Sequence, residues 1–282
     1  MNTKEIHDVI ILGIKDYFAK NKFGRAVIGL SGGLDSSVAA CLTVRALGSG
    51  NVTGLLMPNV GVTSMRSIKD AKALAKKLKI SNFLFPINAA LEGLKNNNAF
   101  SDDQTLVSSK ARQIAVANLA ARARMVALYY HANLSYALVI GTSDKSEIAL
   151  GYTTKYGDSA ADILVIGDLW KSEVLELGRY LKIPDPILKK MPSAELIFGQ
   201  DAKKELGADY LVLDNVLKMR IEDGKSFDDI LKRGFDKKIV QSVFERIRLN
   251  EHKRRYAMII RLSEKSFHGS EWRMPVTNNF RG

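Results

Sequence analysis

The segment best equipped for chemistry is Ser31-Gly32-Gly33-Leu34-Asp35-Ser36-Ser37. Gly32 and Gly33 let backbone N–H groups approach an anion without obstruction from Cβ atoms. Ser31, Ser36 and Ser37 add hydroxyl donors. A helix beginning here would turn its first N–H groups and the positive end of its dipole toward the same anion. That donor set suits a phosphate. A lone carboxylate would repel phosphate oxygens, so Asp35 implies a bridging Mg²⁺. The segment holds no lysine and lacks the GxxxxGK[ST] spacing, which excludes the phosphate loop of kinases and GTPases. Composition alone leaves a plain strand-to-helix turn open, because Gly, Ser and Asp are common helix caps.

Such a loop needs a strand before it and a helix after it. Residues 26–30 (AVIGL) form a short apolar run suited to a buried parallel strand, and VAACLTVRAL follows as a helix. Ahead of them, Ile6, Val9, Ile10, Ile14, Tyr17 and Phe18 recur at helical spacing. The alternation continues with a strand over 51–58 and a helix over 67–79 that places Ala71, Leu74, Ala75 and Leu78 on one face. A strand over 83–87, a polar loop with Asn96, Asn97 and Asn98, and a long helix over 105–131 follow. A strand over 136–142 then ends in a second glycine turn. Residues 151–170 are rich in glycine and aspartate, 171–181 read as a helix stopped before Pro184, and 191–207 read as a long loop. Strands alternating with helices predict an α/β fold, a doubly wound and mostly parallel sheet flanked by helices.

The chain has 282 residues, 42 Lys and Arg against 30 Asp and Glu, and a formal charge of +12. Residues 217–282 alone hold 16 Lys and Arg against 9 Asp and Glu. The expected organisation is therefore one domain over 1–282 with a basic C-terminal extension from about 217. The charge fits nucleic acid or a phosphorylated ligand equally well. No run of about 18 apolar residues occurs, so no membrane span is expected. The first residues lack the basic, apolar, small-residue order of a signal peptide, and a cytoplasmic location fits. The single cysteine, Cys41, excludes an intramolecular disulfide framework and a four-cysteine zinc site.

SGGLDSS directly after the first strand resembles the pyrophosphate loop of the N-type ATP pyrophosphatases, enzymes with a Rossmann-like fold. Further segments choose among them. GTSDKSEIALGYTTKYGDSAADI (141–163), IGDLWKSEV (166–174), MPSAEL (191–196) and ELGADYLVLD (205–214) closely resemble NAD synthetases, as do NLAARARM (118–125) and EHKRR (251–255). The resemblance covers most of the chain, in the family's order.

It implies a reaction. ATP adenylates the nicotinate carboxylate of deamido-NAD with release of pyrophosphate, and ammonia then displaces AMP to give NAD. It also implies roles. Gly29, Leu30, Ser31, Gly32, Gly33, Leu34, Asp35 and Ser36 form the ATP phosphate loop, and Asp35 and Glu147 are the Mg²⁺ ligands. Thr142 and Lys171 contact ATP, Lys171 at the phosphates. Ser193 stands where the family often has an ATP-contacting threonine and keeps the hydroxyl. Asp35, Lys171 and Ser193 are the catalytic candidates. Arg122, Lys155, Asp162, His252 and Lys253 align with contacts to deamido-NAD. A homodimer through the helices around 105–131 is implied, with the dinucleotide near its interface.

Plainer readings stand beside these. Lys155 and Lys171 could be solvated surface lysines, as most lysines are. Arg122 and Arg124 sit two apart on a helix and point to different faces, so one could bind ligand while the other makes a structural ion pair. Glu147 could be a first-turn acid after a cap at Thr142–Ser143, and His252 with Lys253 part of a basic face. Cys41 reads as a buried packing residue.

No glutamine-hydrolysing domain is expected, because the phosphate-loop strand begins at residue 26. Free ammonia is then the nitrogen donor, with delivery by a separate glutaminase left open. Residues 55–71 and 268–282 nevertheless look more like the synthetase half of glutamine-dependent enzymes. The first of these lacks the arginine that short bacterial enzymes carry beside the proline, where Leu56 and Met57 stand here. Two other classes compete: a tRNA-modifying pyrophosphatase, whose thiolating forms need more cysteines, and a non-catalytic nucleotide-binding protein, which would not need both Asp35 and Glu147. Neither nucleic acid nor membrane is an expected partner.

Overall fold

The computed structural model describes residues 2–95, 108–193, 195–197, 199–267, 272 and 276. The Asn96–Asn98 segment, the start of the helix expected over 105–131, and most of residues 268–282 lie outside these. Among the described residues, five strands form one sheet: β1 (Arg25–Gly29), β2 (Val52–Leu56), β3 (Ser81–Leu84), β4 (Ala137–Gly141) and β5 (Ile163–Leu164). Their order is β3-β2-β1-β4-β5, and every pairing is parallel. The chain steps outward from β1 to β3, then returns past β1 to β4 and β5. That reversal makes the C-terminal ends of β1 and β4 the switch point where such sheets bind ligands.

Period-two alternation divides the strand side chains between two cores. Ala26 and Ile28 of β1, Val52 of β2, and Leu138 and Ile140 of β4 join one core. It is completed by α1 (Thr3–Lys20), α2 (Leu34–Leu47), α3 (Met65–Leu78) and α7 (Lys171–Tyr180), which contribute Phe18, Val38, Leu74 and Leu177. Val27, Leu55 and Val139 point to the other face, under α4 (Asn88–Lys95) and α5 (Ser109–Ser135). Coverage on both faces explains why the β1 sequence reads as an unbroken apolar run.

A third cluster lies beyond the sheet. Here α9 (Ala202–Leu206), α10 (Tyr210–Ile221), α11 (Phe227–Leu231) and α12 (Lys237–Leu249) pack against Leu150 of α6 (Lys145–Leu150) and against Trp170. The short α8 (Asp185–Leu188) follows α7.

Several boundaries differ from expectation. Tyr136 is the left-handed C-cap of α5, φ 50°, so α5 runs past 131 and β4 starts only at Ala137. The strand expected over 83–87 is β3, and Pro86 lies beyond its end. The 151–170 stretch contains β5, and the loop expected over 191–207 contains α9, capped by the Asp201 side chain on the N–H groups of Lys203 and Lys204.

Candidate active site

The phosphate-loop segment leaves β1 and enters α2 at its N-cap, Gly33, which offers no side-chain cap bond. The first-turn N–H groups of α2 are therefore left without a side-chain acceptor, the state that favours an external anion. The serines organise the loop. Ser31 Oγ accepts from Gly33 N at 3.1 Å and lies 2.9 Å from Ser36 Oγ, while Ser37 Oγ donates to the Gly33 carbonyl at 2.7 Å. Gly32 adopts φ +75°, and a Cβ there would overlap the backbone carbonyl of Ser67 at the start of α3. Glycine is thus required both by the dihedral and by the close approach.

Asp35, on the first turn of α2, meets Asp144, the N-cap of α6, and Glu147 of its first turn. Ligand oxygens of Asp35, Asp144 and Glu147 lie within 4.8 Å of one another. Into this cluster points the ammonium of Lys171, the first residue of α7, 2.9 Å from Asp35, 2.6 Å from Asp144 and 2.9 Å from Glu147. Lys171 is 5% exposed, not a solvated surface lysine. Burial pulls its pKa down, but Asp144, Asp35 and Glu147 outweigh that and hold it well above its usual value. Burial likewise pushes Asp144 up to about 6 and Glu147 well above the carboxylate range, against the opposing pull of Lys171. Three acids crowded on one ammonium in a confined space resist ionising together, and a nearby cation would favour their charged forms. Their clustered hard oxygen ligands fit one small divalent cation such as Mg²⁺.

A further buried acid fixes this arrangement. Asp214 of α10 accepts from Ser146 Oγ at 2.5 Å and from Ser172 N at 2.8 Å, and Ser146 Oγ in turn accepts from Lys171 N at 2.9 Å. Asp144, not Thr142 or Ser143, is the N-cap of α6, and it forms a reciprocal capping box with Glu147. Glu147 is thus both a first-turn acid and a member of the cluster.

Ser31, Gly33, Asp35, Ser36, Glu147 and Lys171 line one cavity of about 580 Å³, together with Gly29, Leu30, Thr142 and Ser193. Lys190, Met191, Pro192, Ser193, Glu195 and Leu196 also line it, and this part of the chain is tied down at two points. Glu195 pairs with Lys190 at 3.0 Å and accepts from Ser67 Oγ at 2.5 Å. Glu205 accepts from Tyr152 Oη at 2.6 Å and from Gln200 at 3.1 Å.

The remaining sequence candidates are not in that lining; Arg122, Lys155, His252 and Lys253 gather around residues 151–158, of which Tyr152, Gly157 and Asp158 do line it. Arg122 Nε donates to the Lys155 carbonyl at 3.3 Å, and Lys253 Nζ donates to the carbonyls of Gly151 at 2.7 Å and Thr153 at 2.8 Å. His252 is exposed beside it. Asp162 stands apart at the sheet, where its carboxylate accepts from Val139 N at 2.7 Å and from Tyr129 Oη at 3.3 Å.

Sequence reasoning assigned no role to Asp144, Asp214 or Tyr210, and left Arg124 open between a ligand contact and a structural ion pair. The Tyr210 hydroxyl is buried without a hydrogen-bond partner among the described residues, and its ring lies 5.1 Å from the Lys171 ammonium. Arg124 lines the cavity, but it makes no ion pair among the described residues.

A sequence profile of the NAD synthase family matches residues 6–257. The chain is 41% identical to the glutamine-dependent NAD(+) synthetase of Thermotoga maritima, an alignment covering 99% of this chain and 48% of that protein. It thus spans about half the length of that relative. It is 36% identical to the NH(3)-dependent NAD(+) synthetase of Fusobacterium nucleatum over 93% of this chain and 97% of that one. Among solved structures, it resembles NMN synthetase from Francisella tularensis with a TM-score of 0.78 and 33% identity, covering 93% of this chain and 100% of that one.

Proposed function

The chain belongs to the NAD synthase family, and from that membership we propose that it joins ammonia to deamido-NAD at the expense of ATP, giving NAD, AMP and pyrophosphate in the final step of NAD biosynthesis. One observation carries this reading onto the chain's own residues. The open phosphate loop, Lys171, and the acids Asp35 and Glu147 face one cavity.

A carboxylate oxygen of deamido-NAD attacks the α-phosphorus of ATP, and the bond to the bridging oxygen breaks with release of pyrophosphate. Ammonia then attacks the acyl carbon, AMP leaves with that carboxylate oxygen, and the nitrogen loses a proton. The uncapped N–H groups of α2 and the loop serines hold the departing pyrophosphate. Asp35, Glu147 and Asp144 would hold Mg²⁺, which offsets phosphate charge when bound. Lys171, fixed through Ser146 and Asp214, supplies a permanent positive charge beside the phosphates. Thr142 and Ser193 add hydroxyls to the same cavity.

Arg122, Lys155, His252 and Lys253 form the deamido-NAD surface in this reading, with Asp162 at its sheet end. Lys253 contributes chiefly by shaping the 151–153 loop, since its ammonium already serves two carbonyls. A homodimer through α5 is part of the proposal. Val126, Tyr130 and Leu134 recur every fourth residue and are 60%, 66% and 69% exposed, an apolar stripe of the kind an interface covers. Among the described residues no helix is long and apolar enough to cross a membrane. A cytoplasmic setting suits the substrates.

The test incubates the protein with deamido-NAD, ATP, Mg²⁺ and ammonia. NAD and pyrophosphate should appear together, and their absence would sink the reading. A parallel arm offers nicotinate mononucleotide, because of the likeness to NMN synthetase. Preference for the mononucleotide would move the acceptor assignment. Another arm offers glutamine as sole nitrogen donor, and turnover there would overturn the assignment of ammonia.

A further inference from the structure

Two arginines of α5 lie two positions apart, roughly 200° around the helix, so they face different surroundings. Arg122 is exposed, whereas Arg124 turns inward and lines the cavity. Arg124 Nε donates to the Met57 carbonyl just past β2 at 2.9 Å. That bond fixes the guanidinium plane and leaves the N–H groups of both terminal nitrogens without a hydrogen-bond partner among the described residues. Its anchor adjoins the phosphate loop, because a Cβ on Gly29 would lie 3.3 Å from Met57 Cε and 3.8 Å from Leu128.

The other cations of this cavity are committed or exposed. Lys171 faces three carboxylates, Lys190 pairs with Glu195 at 3.0 Å, and Arg179 is exposed. No carboxylate of the described residues lies within ion-pair distance of Arg124. Burial lowers its pKa, with Glu195 and Asp158 opposing from farther away. Met57, Ala121, Met125 and Leu128 make that part of the wall apolar, which strengthens any ion contact formed there. A half-buried cation without a counter-ion is poorly compensated. An arginine fork held rigid in such a place is preorganised for an oxyanion.

We propose that Arg124 is a substrate-binding residue whose two terminal nitrogens take an oxyanion, either a phosphate of ATP or a phosphate or carboxylate of the dinucleotide. The inference rests on the reading of the cavity as the site of both substrates. Steady-state kinetics of Arg124→Gln and Arg124→Lys, with each substrate varied in turn, test it. So do the thermal shifts produced by ATP with Mg²⁺ alone and by deamido-NAD alone. Arg124→Gln should raise the KM of one substrate about 10- to 100-fold, the effect of losing a hydrogen-bonded charge. It should also abolish that substrate's thermal shift while the free protein melts no lower than wild type. Lysine should restore only part, since it keeps the charge but not the fork. A rise confined to ATP assigns a phosphate of ATP; a rise confined to deamido-NAD assigns the dinucleotide.

Both KM values and both thermal shifts within about twofold of wild type would overturn the inference. If Arg124→Gln does not fold, Arg124→Lys decides on the same criterion. Failure of both variants to fold would make Arg124 a structural residue and overturn it as well. Failure of wild-type protein to make NAD would instead strike the proposed reaction, and the ATP thermal shift would still judge Arg124.

Discussion

The Lys171 ammonium lies 2.6 Å from the Asp144 carboxylate, closer than the 2.9 Å that separates it from Asp35 or Glu147. Asp144 therefore does two things at once. One oxygen caps α6 by accepting from Glu147 N at 2.9 Å, and the other faces the ammonium. Asp144→Asn separates these, because asparagine caps a helix as well as aspartate does. The variant should fold like wild type yet need about tenfold more Mg²⁺ for half-maximal activity, having lost one of three charged oxygen ligands. Asp144→Ala should lose the cap as well, about 1 kcal/mol of stability. An unchanged Mg²⁺ requirement in Asp144→Asn would remove Asp144 from the metal cluster.

Gly32→Ala should be costly for reasons unrelated to catalytic groups. A left-handed φ of +75° costs a non-glycine residue about 1–2 kcal/mol. The overlap with the Ser67 carbonyl then forces the loop away from α3. Denaturant unfolding should show the stability loss, and ATP-dependent turnover should fall with it. Full activity at wild-type stability would mean that the loop and α3 do not touch in this way.

The basic run near residue 254 should divide into structural and surface roles. Arg254 donates to the carbonyls of Ile148 at 3.1 Å and Ala149 at 2.8 Å, and to that of Ile247, tying α6 to α12. Arg254→Met should cost about 2–4 kcal/mol in denaturant unfolding, because several buried carbonyls lose a charged donor. His252→Ala should leave stability unchanged and raise the KM for deamido-NAD. The opposite pattern, with His252 important for stability and Arg254 dispensable, would contradict the placement of both.

Cys41 gives a prediction in alkali. Burial pushes its thiol up to about 11 from the ordinary 9.0, with Arg45 and Lys77 opposing. The unfolded chain therefore ionises this thiol first. Its contribution to stability is intact below pH 9 and is lost as pH rises toward 11. Cys41→Ala should show a shallower alkaline loss than wild type. Native protein at pH 8 should react slowly with a thiol reagent. Rapid labelling without unfolding would contradict the burial.

Much of this was legible in the sequence, and what was not has physical causes. The β1–loop–α2 unit announces itself because an apolar run, two glycines and a helical pattern adjoin in the chain. Asp35 and Glu147 carry recognisable motifs, and the fold brings both to Lys171. Asp144 escaped because the cap was expected just ahead of it, at Thr142–Ser143, and because its contact with Lys171 joins residues remote in sequence. The choice between Arg122 and Arg124 was closed to sequence, because alanines recur on all sides of α5 and mark no buried stripe. The two residues of β5 are too few to show a period, and they become a strand only by pairing with Ile140 and Gly141.

The central claim is that the cavity activates a carboxylate by joining one of its oxygens to the α-phosphorus of ATP. The most direct test supplies deamido-NAD carrying heavy oxygen in its nicotinate carboxylate, with ATP, Mg²⁺ and ammonia, and weighs the products. One heavy oxygen should appear in AMP for each NAD formed, and none in pyrophosphate. Heavy oxygen in pyrophosphate or inorganic phosphate, or ADP in place of AMP, would contradict it.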